Sequence, residues 1–71
     1  MSGFVSVEVE GKLYESEYHE VGGVVRVYGD LGDPHKPEVE FTTLGGMKPD
    51  QVARILLRRL VKRGVVSPTD D

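Results

Sequence analysis

The sequence predicts an α+β domain: an antiparallel β-meander of three to four strands, with one C-terminal α-helix packed across one face (β-β-β-β-α). Three observations predict it. Residues 4–10 alternate valine with polar side chains, the period of a strand buried on one side. Turn signals at Glu10-Gly11 and Gly22-Gly23 separate that run from two further runs of strand character. Only 49–63, PDQVARILLRRLVKR, carries helical periodicity, and it supplies an apolar stripe wide enough to roof a small sheet.

Taken in order, 1–3 is expected to fray. In 4–10, Val5, Val7 and Val9 point one way and Ser6, Glu8 and Glu10 the other. Glu10-Gly11 reads as a two-residue hairpin turn, which needs positive φ. That turn pairs Val9 with Lys12, Val7 with Tyr14 and Val5 with Ser16, so Tyr14 and Tyr18 share the valine face of a second strand, 12–21. Leu13, Glu15, Glu17 and His19 then share the other face. After Gly22-Gly23, strand 24–29 adds Val25 and Val27 to the core and sets Arg26 and Tyr28 outward, opposite His19 and Glu17. Opposite charges facing each other across strands favour this register.

Two prolines, a glycine and two aspartates make 30–37 a loop. Residues 38–44 alternate again, with Val39 and Phe41 expected inward and Glu38, Glu40 and Thr42 outward. Gly45-Gly46 permits a sharp entry to the helix. Pro49 suits the first helical position, and Asp50 sits at the positive end of the macrodipole. Lys48 is a poor N-cap, because its side chain offers no acceptor. Gly64 fits the left-handed C′ position, with Val65 as C″ over Leu60 as C3. Residues 67–71 read as a disordered polar tail beyond a single domain spanning 1–66. The expected core is Val5, Val7, Val9, Tyr14, Tyr18, Val25, Val27, Val39, Phe41, Met47, Val52, Ala53, Leu56, Leu57 and Leu60.

Composition narrows the chemistry. Seventy-one residues make one domain. The absence of cysteine removes disulfides, zinc–thiolate sites and thiol nucleophiles. The N-terminal residues lack a signal pattern and no apolar run is long enough to span a bilayer, so a soluble cytoplasmic protein is the expectation. The net charge of −3 is unevenly spread. Residues 1–47 hold three Lys/Arg against nine Asp/Glu, and 48–71 hold six against three. The sheet half is acidic and the helix half basic.

Candidate sites are few. Arg54, Arg58 and Lys62 follow one another along the outer helix face, flanked by Arg59 and Arg63, with Ile55 among them. This face is the expected interaction surface: Arg54, Ile55, Arg58, Arg59, Lys62 and Arg63. Its expected occupant is a protein partner or a second copy, since arginine around an apolar centre is common at interfaces. Phosphate contact with a nucleic acid through the same cations is the alternative. Self-association has two expected routes: the acidic sheet of one copy on the basic helix of another, or pairing of edge strands. Asp30, Asp33 and His35 share a loop, but their spacing matches no metal motif. Glu15, Glu17 and His19 lie along one strand face, where a solvated surface accounts for them. Only Tyr28 is expected as an exposed ring, which is too little for a base-stacking platform. Neither glycine pair has phosphate-loop context, and no nucleophile has an orienting third group. No enzyme activity, cofactor, metal, small-molecule substrate or membrane association is expected.

The strand–strand–strand–helix order over 4–63 resembles the double-stranded-RNA-binding domain. That family adds an N-terminal helix and a lysine pair at the start of its last helix. Here that site reads Met47-Lys48-Pro49-Asp50, with one lysine, so no functional residue is carried over.

Overall fold

The computed structural model describes residues 1–31, 35 and 38–69. Four strands, β1 (Ser2–Val9), β2 (Lys12–Val21), β3 (Val24–Tyr28) and β4 (Val39–Thr43), precede a single helix, α1 (Pro49–Lys62). The strands form one antiparallel sheet in the order β1-β2-β3-β4. The helix lies across one face of it, chiefly over β1 and β3. This is the α+β meander that the sequence predicts.

Two-residue turns fix the first two registers. Glu10 (φ 52°) and Gly11 (φ 78°) both take positive φ, as do Gly22 (φ 61°) and Gly23 (φ 84°). Two consecutive positive φ values make a type I′ turn, whose twist matches the strands it joins. The pairs Val9↔Lys12, Val7↔Tyr14 and Val5↔Ser16 follow, and beyond the second turn His19↔Arg26 and Tyr18↔Val27. Residues 1–3 do not fray. Met1 exchanges two backbone hydrogen bonds with Glu20, at 2.8 and 2.6 Å, because β2 is long enough to give it a partner.

The helix ends as its sequence indicates. Gly64 has φ 76°, its N–H donates to Val61 O, and the Val65 N–H donates to Leu60 O at 3.3 Å. Those two bonds are the Schellman pattern, with Arg63 as C-cap. At the N-terminus the Lys48 N–H donates to Gln51 Oε1 at 3.3 Å. This is half of a capping box; a lysine ammonium cannot accept the reciprocal bond.

The core holds Val5, Val7, Tyr18, Val25 and Val27 from the sheet and Val52, Ala53, Leu56, Leu57 and Leu60 from the helix. Val9, Tyr14, Leu44, Val61 and Val65 pack at its edge. Val66 is also buried, a position the helix pattern does not reach.

Three expected core residues are not in it: Val39 is half-buried on the open face of the sheet, and Phe41 and Met47 are exposed. The cause at Phe41 is register. β4 pairs Val25↔Thr42, Arg26↔Phe41 and Val27↔Glu40. Cross-strand partners share a face, so Glu40 and Thr42 lie on the helix side while Phe41 and Val39 lie on the open side. Met47 closes a tight turn, its N–H donating to Leu44 O at 3.0 Å across Gly45 and Gly46, both of positive φ. Leu44 takes the packing role instead.

Ser67 and Thr69, at the C-terminal end of the described residues, hydrogen-bond back to the domain. The Ser67 N–H and hydroxyl donate to the two carboxylate oxygens of Asp30, at 2.9 and 2.8 Å. The Thr69 N–H donates to Leu13 O at 2.7 Å. That carbonyl belongs to the part of β2 that extends past the end of β3, where the sheet offers a free backbone group. Asp70 and Asp71 lie outside the described residues.

Candidate interaction surfaces

The fold leaves two broad surfaces in contact with water: the outer face of α1 and the sheet face that α1 does not cover. On the helix, Arg54, Ile55, Arg58, Arg59, Lys62 and Arg63 are all exposed. Three of the five cations are held by the chain's own carboxylates. Arg54 lies 3.7 Å from Asp50, one turn earlier. Arg63 reaches across to β4, its Nη1 donating to Glu40 Oε2 at 2.7 Å and its Nη2 to Glu38. Arg59 stands 4.0 Å from Glu40. Arg58 and Lys62 have no ion-pair partner among the described residues. The flip of β4 explains these bridges, since it turns Glu38 and Glu40 toward the C-terminal half of the helix.

The same flip remakes the open sheet face. That face was expected to be acidic with a single ring. It instead carries Phe4 (69% exposed), Phe41 (62%), Tyr28 (43%) and Val21 (68%). The strand registers set these side chains in rows across the sheet. Ser2, His19, Arg26 and Phe41 form one row. Phe4, Glu17, Tyr28 and Val39 form the next. Glu17 Oε1 lies 3.7 Å from His19 Nε2 along β2. Glu15 and Glu8 continue toward the first turn, leaving the face acidic at that end, with Phe4 and Phe41 on the two edge strands and Tyr28 on β3 between them. Arg26 is exposed with no carboxylate within ion-pair distance among the described residues.

Phe4 was legible in the sequence. It shares parity with Ser6 and Glu8, so the alternation that buries Val5 turns Phe4 outward. Phe41 was not, because its face depends on how β4 meets β3.

The other candidates carry less. Of the loop trio Asp30, Asp33 and His35, the Asp30 carboxylate is occupied by Ser67, and Asp33 lies outside the described residues. No group of three or more metal-ligating side chains occurs among the described residues. A cleft of about 340 Å³ opens between the first hairpin and the helix end, lined by Val9, Glu10, Tyr14, Val61 and Lys62. No described helix is long and apolar enough to cross a membrane. No family model, curated protein or solved structure matches the chain.

Proposed function

We propose that this chain is a small non-catalytic interaction module whose contact surface is the open face of the sheet. One observation carries the proposal: Phe4, Tyr28, Phe41 and Val21 stand in water on the side of the sheet that no element covers. Spread over the four strands, they leave apolar surface on the order of 400 Å² in total, the range of the largest patch on a typical monomer, which is often functional. Aromatic and arginine side chains are also the types that anchor interfaces, and Arg26 stands beside Phe41.

The helix face supports the reading less well, because Arg54, Arg59 and Arg63 already have carboxylate partners. Phosphate contact through the helix draws on Arg58 and Lys62, the two helix cations without such partners among the described residues. Two cations give weak, strongly salt-dependent attachment.

Photo-crosslinking separates the faces. The chain is made with benzoylphenylalanine at position 41 and, separately, at position 55, then irradiated in an extract of its source cells and at high concentration alone. Adducts at 41 are expected. Adducts confined to 55, or to nucleic acid at 55, would overturn the sheet-face reading.

A further inference from the structure

We infer that the occupant of the open sheet face is a second copy of this chain, docked face to face about a twofold axis. The inference rests on the interaction reading above and adds the identity of the partner.

Charge placement argues first. A partner seated on the two central rows meets His19 and Arg26 in one and Glu17 in the other, with Glu15 and Glu8 beyond. Carboxylates outnumber arginines on this face, which repels a phosphate backbone despite the rings. A copy of the same face is complementary. In a two-fold contact, residue i meets j and j meets i. An axis lying across the strands between the two rows sets the Arg26 row of one copy over the Glu17 row of the other, and the converse. Arg26 then finds the Glu17 carboxylate and the Tyr28 ring, a charge pair and a cation–π contact in one place. The two exchanged charge pairs lie over the central strands β2 and β3, and Phe4 on β1 and Phe41 on β4 flank them on either side.

Area argues second. The molecule is a slab of 33 × 29 × 17 Å. A broad face of that size is on the order of 800 Å², what one partner buries in a stable interface of standard size. Two sheets packed this way make a sandwich core, with the strands of the two copies within about 30° of one another. The two helices stay outside, so this assembly is neither the sheet-on-helix contact nor the edge pairing expected from the sequence.

Sedimentation of the full chain across a concentration series tests the inference. Wild type is expected to move from monomer to dimer. Phe41→Asp is expected to weaken dimerisation by about 100-fold or more, as replacing a buried aromatic anchor with a charge does. Arg26→Glu sets two carboxylates together and is expected to weaken it by at least about 10-fold. Adding Glu17→Arg to Arg26→Glu swaps the pair, and recovery of the dimer in the double variant is expected. Arg58→Glu on the helix is expected to change nothing. Circular dichroism confirms that each variant is folded, and all three substituted sheet positions are exposed ones.

A wild type that stays monomeric at the highest concentration overturns the inference, as does a dimer indifferent to both Phe41→Asp and Arg26→Glu. The two readings fail separately. A monomer that still cross-links through position 41 to another molecule ends self-association and leaves the sheet face as the contact surface. A dimer that yields only to Arg58→Glu ends both.

Discussion

Glu10 holds a positive φ of 52°, the only non-glycine described residue to do so. A left-handed backbone costs a residue with a Cβ roughly 1–2 kcal/mol, and asparagine tolerates it better than glutamate. Glu10→Asn keeps the hairpin geometry and is expected to raise stability by about 0.5–1 kcal/mol. Urea denaturation reads this as a higher midpoint at unchanged slope. Gly29 makes the opposite case. A Cβ there would stand 2.7 Å from the Val65 carbonyl oxygen. That oxygen accepts the N–H groups of both Asp30 and Leu31. Gly29→Ala is therefore expected to push the C-terminal segment off the sheet, at a cost of about 1–3 kcal/mol. Amide exchange should report it: the Asp30, Leu31 and Ser67 amides lose protection while those of β1 keep theirs.

Elements whose geometry is set by local rules could be read directly. The helix carries its own start at Pro49 and its own stop at Gly64, and its stripe names the buried leucines. The first two hairpins are fixed by two-residue turns, which leave no freedom in register. β4 is different, because the long connection 30–37 allows either parity. Its more apolar side, Val39 and Phe41, faces away from the helix. Apolarity was the wrong guide because this edge strand lies against the basic half of α1, where carboxylates are the better partners. The two glutamates and Arg63 therefore act as one unit. Arg63→Ala would leave Glu38 without a cation and Glu40 with only Arg59, 4.0 Å away. All three are partly solvated, so the expected loss is only about 1 kcal/mol. Repeating the denaturation at high salt should shrink that difference, whereas a packing defect would persist. The same parity governed the candidate surfaces. The helix cations were visible in the sequence, but the aromatic sheet face required knowing where β4 lands.

At the scale of the whole molecule, 71 residues give a core of one sheet face and one helix face. A chain of this size buries only about 60% of its unfolded surface and is marginal by construction. Peripheral burial then matters more than it would in a larger protein. Val66 is buried in the core, just ahead of a segment held by Ser67 on Asp30 and by Thr69 on Leu13. Val66→Ala removes two methyl groups and is expected to cost about 2 kcal/mol, read as a lower midpoint of thermal unfolding. A second layer over the open face would supply stability that the monomer lacks, and mass action makes that contribution visible. If folding is coupled to dimerisation, each tenfold rise in protein concentration adds about 0.7 kcal/mol per chain, half the value of a tenfold change in an equilibrium constant. For a domain of this length that shifts the thermal midpoint by about 3–5 °C. Wild type is expected to show this climb and Phe41→Asp to melt at one temperature whatever its concentration. A flat wild-type midpoint at concentrations where sedimentation sees dimer would mean that the dimer comes apart below the unfolding temperature, and that the sheet faces meet too loosely to form a shared core.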